Sequence, residues 1–189
     1  MKTNVILLLF SFCFLLPSVG YAQQGQYRLL DDFLSSTFPA NLIEDKSQKP
    51  YQVRTLWLKD EQKQTIKNIL GHEYTAFRIR YWADGKKTAW VLEEIGKEHL
   101  ITMGVVISQQ KISDFSILEF RESRGWEIKY DFYTQQFLNA ALKADSKNKH
   151  ELSKTIDGIT GATLSVRATK KVAKLALYLD QQVVAMSPQ

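Results

Sequence analysis

Two glycines, an alanine and three hydroxyl side chains lie close together between Asp157 and Ser165. From residue 166 onward, apolar residues recur at the three- and four-residue spacing of one helical face, which places Thr163 at or just before a helix N-terminus. Unpaired N–H groups and the helix dipole favour an anion there, and small residues let it approach the backbone. The spacing favours a phosphate site, although a plain helix cap by Thr163 or Ser165 accounts for the same residues.

The run from Asp157 to Thr163 resembles the flavinylation motif of FMN-binding domains, which occur in the covalent-flavin subunits of sodium-pumping NADH:quinone reductases and of Rnf-type complexes. The family pattern is Asp, Gly, any residue, Ser or Thr, Gly, Ala, Thr, and this chain matches it at every defined position. The resemblance implies that Thr163 carries FMN through a phosphoester bond. It also implies a separate magnesium-dependent flavin transferase that uses FAD as the donor.

The resemblance implies further cofactor contacts from the residues around Thr163, which are Asp157, Gly158, Thr160, Gly161, Ala162, Leu164 and Ser165. Gly161 and Ala162 would let the chain pass close to the phosphate, while Thr160 and Ser165 would donate hydrogen bonds to it. Asp157 would repel an anion, so we expect it to cap the turn or to be recognised by the transferase through magnesium.

A second, weaker match lies upstream. The segment Glu122-Ser123-Arg124-Gly125 is similar to the family's Glu-Thr-Pro-Gly loop near the flavin ring, with agreement at Glu122 and Gly125. These two residues are therefore added to the predicted cofactor site. Trp126 follows directly and is either a neighbour of the ring or part of the core; the core is slightly favoured, because large aromatic residues usually bury for packing alone. The resemblance covers approximately residues 100–184.

Residues 1–22 have the pattern of a cleavable export signal, with a short positive start, an apolar run over 5–16 and small residues near position 22. The apolar run is shorter than the roughly 20 residues that span a bilayer. Cys13 follows Phe12 rather than a small residue, which disfavours lipidation, and the remaining chain has no cysteine for a disulfide. Without a twin arginine, we expect general secretion and a soluble, periplasmic or otherwise exported protein with no transmembrane anchor.

The formal net charge of +5 falls to +4 when Lys2 is lost with the signal, which makes nucleic acid a poor partner. A basic run is either a solvated face or a docking surface for a redox partner such as a cytochrome or a membrane reductase; it comprises Lys143, Lys147, Lys149, Lys154, Lys170, Lys171 and Lys174. The three histidines stand apart without companions at ligand spacing, so no metal site is predicted. No nucleophile elbow or Ser/Cys/His constellation is present, and no catalytic residue is assigned.

The apolar periods predict helices over residues 27–38 and 60–70, followed by a hairpin whose strands flank the turn 83–86. Two more strands are predicted over 100–108 and 111–121, then a helix over 133–144 with Phe137, Leu138 and Leu142 inward. The polar segments 44–50 and 145–150 are predicted loops. The predicted fold is α+β, with an antiparallel meander of about four strands packed by helices and a C-terminal helix after the attachment loop. Residues 23–189 form one domain, with a helical extension over 23–75.

These observations predict an electron-transfer flavoprotein of the cell envelope with FMN on Thr163, a redox carrier more than a stand-alone enzyme. A covalent bond suits an exported flavoprotein, because a noncovalent flavin is lost where free FMN is dilute. The alternative is a noncatalytic binding or assembly module, or a subunit of a larger envelope redox complex with no activity of its own.

Overall fold

The computed structural model describes residues 30–40, 49–144 and 150–186. In chain order the elements are α1 (Leu30–Thr37), β1 (Gln52–Trp57), α2 (Asp60–Leu70), β2 (Arg78–Ala83), β3 (Lys87–Ile95), β4 (Leu100–Ser108), β5 (Lys111–Phe120), α3 (Asp131–Thr134) and α4 (Thr163–Met186). Short 3-10 turns over Trp126–Lys129 and Gln135–Phe137 flank α3. The predicted export signal lies outside the described residues, as do most of segment 44–50 and all but one residue of segment 145–150.

The five strands form one antiparallel sheet in the order β1-β2-β3-β4-β5, so each strand pairs with its neighbour in the chain. Alternate residues of each strand face opposite sides of the sheet. One face packs against α4 and α2, through buried residues such as Trp90 and Met103. The other face carries a smaller cluster against α1, in which Phe33 lies so close to Gly104 that a Cβ there would come within 2.7 Å of its ring. The α+β class with a C-terminal helix is confirmed.

Three side-chain networks fasten α4 to the rest of the fold. Near its C-terminal end the buried Asp180 carboxylate accepts a 2.6 Å hydrogen bond from the Thr88 hydroxyl. Near its N-terminal end the Thr169 hydroxyl lies 2.6 Å from that of Tyr133. Between them, Glu94 on β3 accepts hydrogen bonds from Lys171 at 2.8 Å and from His72 at 2.9 Å. These bonds fix the helix along its length.

The meander contains one strand more than predicted, namely β1. The sequence does not predict β1 because its residues show no apolar alternation, and only Leu56 of its six residues is buried. The predicted helix over 133–144 is wrong. It ends within one turn, because the Ala140 carbonyl accepts the Ile112 N–H at 2.9 Å and the Asn139 N–H donates to the Ile112 carbonyl at 2.8 Å. Phe137 is buried as predicted and stacks on Phe115, whereas Leu138 and Leu142 are only partly buried. No helix in the described parts of the chain combines the length and apolar character needed to cross a membrane.

Candidate functional site

Thr163 is the first residue of α4, as the sequence predicts, and its side chain is exposed. The first backbone bond of the helix runs from the Val166 N–H to the Ala162 carbonyl at 2.9 Å. The N–H groups of Thr163, Leu164 and Ser165 precede that bond, so no helix carbonyl is available to them. Three amides and the positive end of a 24-residue helix therefore lie beside the Thr163 hydroxyl.

The turn that leads into the helix depends on Gly161. The Ala162 N–H donates to the Ile159 carbonyl at 3.0 Å, and Gly161 has a φ of +81° within that turn. Such a conformation is strained for any residue with a Cβ. Gly158 is different, because a Cβ built there meets nothing within 4 Å and its φ is not positive. Of the two motif glycines, only Gly161 is required by the backbone.

A cleft of about 540 Å³ opens at this end of α4. Its lining comes from the helix start and from two distant segments, and comprises Lys97, Glu122, Ser123, Arg124, Gly161, Ala162, Thr163, Leu164 and Ser165. The structure thus brings together the two segments that the resemblance singles out. Asp157, Gly158 and Thr160 are exposed nearby but do not line the cleft. The backbone N–H of Asp157 donates to the Gln136 side chain at 2.7 Å, which holds the start of the motif.

Gly125 joins the two segments. It has a φ of +84°, and a Cβ there would lie 3.0 Å from the Ala162 Cβ and 3.1 Å from the Ser165 Oγ. Ser165 itself is only 4% exposed, yet it lines the cleft. A glycine at 125 is therefore what allows the upstream loop to lie directly against the helix start.

The Glu122 carboxylate is held by the turn between β3 and β4. One of its oxygens accepts backbone N–H bonds from Glu98 at 2.8 Å and His99 at 3.1 Å, together with a short one from Lys97. Gly96 leaves room for this contact, since a Cβ there would lie 2.5 Å from the same oxygen. Desolvation by burial alone would raise the pKa of Glu122, but the three N–H donors outweigh it and lower the pKa. Glu122 is therefore an ionised anchor for the turn, unsuited to act as a proton donor near neutral pH.

Trp126 is not in the core. Its side chain is 47% exposed and meets Tyr130 edge-on at 5.2 Å between ring centroids. The expectation of a core role is wrong, because the positive φ of Gly125 redirects the chain and Trp126 begins an exposed 3-10 turn. It does not line the cleft.

Three residues that line the cleft were not predicted: Lys97, Ser123 and Arg124. Lys97 comes from the turn between β3 and β4, which lies at the same end of the sheet as the end of β5. The paired lengths of these strands could have indicated this, because consecutive antiparallel strands return to the same edge. Among the described residues, no cluster of three or more His, Cys, Asp or Glu side chains could hold a metal ion.

Several lysines of the predicted basic run hold the fold together. Lys171 pairs with Glu94 at 2.8 Å and Lys174 with Glu151 at 2.7 Å. Lys154 donates to the Leu138 carbonyl at 2.8 Å. Lys147 and Lys149 lie outside the described residues, and the docking role of the run remains a prediction.

The cleft lies at the N-terminal end of α4, where the helix start faces two loops of the α+β fold. Residues 96–178, which include the whole cleft lining, match the family model of the FMN-binding domain. The match covers most of residues 100–184, the part of the chain over which the sequence resembles this family. A comparison with curated proteins finds no match to this chain.

Proposed function

We propose that this protein is an electron-transfer flavoprotein of the cell envelope that carries FMN on Thr163 through a phosphoester bond. The observation that supports this most strongly is the position of the Thr163 hydroxyl, which is exposed at the start of α4 and opens onto the cleft within the FMN-binding domain. A buried hydroxyl facing the core would have excluded such a bond.

The residues of the cleft fit a bound phosphate and a larger attached group. The amides of residues 163–165 can bind phosphate oxygens, and the nearly buried Ser165 hydroxyl lines the same cleft. The cleft volume of about 540 Å³ falls within the approximately 300–1,000 Å³ of small-molecule sites. When bound, FMN supplies the redox chemistry, while the protein sets its position, exposure and potential.

The proposal includes export and maturation. Residues 1–22 would direct the chain out of the cytoplasm. A magnesium-dependent transferase would then move the FMN half of FAD to the Thr163 oxygen, breaking the pyrophosphate bond of FAD and releasing AMP. Electrons would pass to or from a partner protein such as a cytochrome or a membrane reductase. A covalent bond would keep the flavin in a compartment where free FMN is dilute.

The test is mass spectrometry on protein exported from cells that also express a flavin transferase. We expect the peptide containing Thr163 to carry one FMN less one water. Thr163→Val should give a colourless protein whose unfolding free energy lies within about 0.5 kcal/mol of the wild type, because the side chain is exposed. Thr155→Val, which removes an exposed hydroxyl just before the motif, is the matched control and should stay yellow. An unmodified Thr163 peptide beside active transferase would contradict the proposal and favour a noncatalytic binding module.

A further inference from the structure

Two cations line the cleft opposite the start of α4. Lys97 comes from the turn between β3 and β4, and Arg124 comes from the loop after β5. The acid in the same lining, Glu122, directs a carboxylate oxygen into three backbone N–H groups instead of towards either cation. With Glu122 ionised, the three charged side chains of the lining carry a net charge of +1.

The two cations differ in how far they are neutralised. The Lys97 amine lies 3.0 Å from the Glu98 carboxylate, and both side chains are largely exposed. Arg124 has no carboxylate within ion-pair distance among the described residues, although Arg121 three positions earlier is paired with Glu119. A guanidinium stays charged at any pH that the fold tolerates. Arg124 thus supplies the larger unbalanced charge to the cleft.

The phosphate does not need these cations. Its charge, beside Thr163, is met by the amides and dipole of α4. A second negative charge on the bound group would be stabilised by Lys97 and Arg124 on the other side of the cleft. Reduction of a bound flavin would supply one, since a gain of two electrons from a reductant and one proton from the solvent would leave the ring system with one net negative charge.

Resting on the proposed function, we propose that Arg124, assisted by Lys97, stabilises the reduced flavin electrostatically and so raises its midpoint potential. The loop that carries Arg124 is held by contacts on both sides of that residue. Gly125 packs directly on Ala162 and Ser165, and Glu122 anchors the other end of the segment to the turn that carries Lys97. A fixed charge acts on the ring without reorganisation at the moment of electron transfer.

The experiment is a redox titration of the flavinylated protein against a two-electron reference dye, with flavin occupancy measured by mass spectrometry. We expect Arg124→Ala to lower the ratio of reduced to oxidised flavin at least tenfold at a fixed dye potential, which is about 30 mV for a two-electron couple. Arg124→Lys should stay near the wild type because it retains the charge. Arg121→Ala removes an arginine from the same loop outside the cleft lining and should leave the ratio unchanged. Lys97→Ala should show a smaller decrease than Arg124→Ala.

A fully flavinylated Arg124→Ala protein with the wild-type ratio would overturn this inference alone. A wild-type peptide without flavin would overturn the proposed function and this inference with it. Should Arg124→Ala fail to take up flavin, the wild-type protein decides the matter through its salt dependence. Stabilisation by exposed cations predicts that the potential falls as ionic strength rises, since the attraction is screened. A potential that does not fall with salt would overturn the inference.

Discussion

Replacement of Gly125 by alanine tests how tightly the upstream loop is joined to the start of α4. The new Cβ meets two costs. A φ of +84° places alanine in the left-handed region, which costs about 1–2 kcal/mol. The Cβ also comes within 3.0 Å of the Ala162 Cβ, which is a rigid atom, and overpacking of this kind typically costs about 1–3 kcal/mol. We expect Gly125→Ala to lose about 2–5 kcal/mol of unfolding free energy.

Two other glycines separate these costs. Gly161 has a φ of +81° but open space around its Cβ position, so Gly161→Ala should lose only about 1–2 kcal/mol. Gly158 has neither a positive φ nor a close neighbour. Gly158→Ala should therefore be neutral, or stabilising by up to about 1 kcal/mol, because it restricts the unfolded chain.

The assay is urea unfolding followed by tryptophan fluorescence, with the free energy extrapolated linearly to water. For a chain of this size the Gly125→Ala loss corresponds to roughly 4–20 °C in melting temperature. The reasoning about the loop contact is refuted if Gly125→Ala and Gly161→Ala are equally stable. The reasoning about backbone strain is refuted if Gly158→Ala is as unstable as Gly161→Ala.

The networks that fasten α4 give three further predictions. Burial raises the pKa of Tyr133 to about 12, so the folded protein keeps a proton that the unfolded chain releases near pH 10. The free energy of unfolding, measured in urea, should therefore fall between pH 10 and pH 12 in the wild type and should fall less in Tyr133→Phe. Lys171→Met leaves the Glu94 carboxylate, which is 1% exposed, without its lysine and should lower the unfolding free energy by about 3 kcal/mol. The control Lys170→Met on the same helix should lower it by less than about 0.5 kcal/mol. Equal losses in the two variants would contradict a stabilising ion pair. Hydrogen bonds to the Glu73 carbonyl and to Glu94 raise the pKa of His72. The stability that protonated His72 gives to the fold is therefore complete below about pH 6.5 and is lost as the pH rises through the folded-state pKa. The difference in unfolding free energy between wild type and His72→Gln should be larger at pH 5.5 than at pH 8.

Elements with strong local signals were predictable. The bounds of α2 agree with prediction, because the apolar spacing ends at Gly71, which caps the helix with a φ of +78°. Strands β2 to β5 are rich in β-branched, aromatic and other apolar residues and are separated by short polar turns, so they were recognisable. β1 was missed because only its pairing with β2 defines it. The helix over 133–144 failed because Ile112, distant in sequence, takes the backbone bonds that a helix would need.

The candidate site was also predictable only where the signal is local. The motif up to Ser165 is contiguous, so its residue types and spacing were visible in the sequence. The position of Lys97 follows only from the pairing of β3, β4 and β5, and the bond from Asp157 to Gln136 follows only from the packing of the 3-10 turn after β5. Neither is encoded in the residues of the motif itself. The ionised state of Glu122 depends on three amides from another turn and was likewise invisible.

The core contacts of α4 begin at Val166 and continue to Val183, whereas Thr163 projects from the tip of the helix beyond them. Under the proposed function, folding of the polypeptide and attachment of FMN to Thr163 would therefore be separable events. A maturation enzyme would meet its acceptor already displayed on a finished framework, and molecules with and without the chromophore would share one architecture. Incomplete loading would then lower the yield of coloured protein without lowering the yield of folded protein.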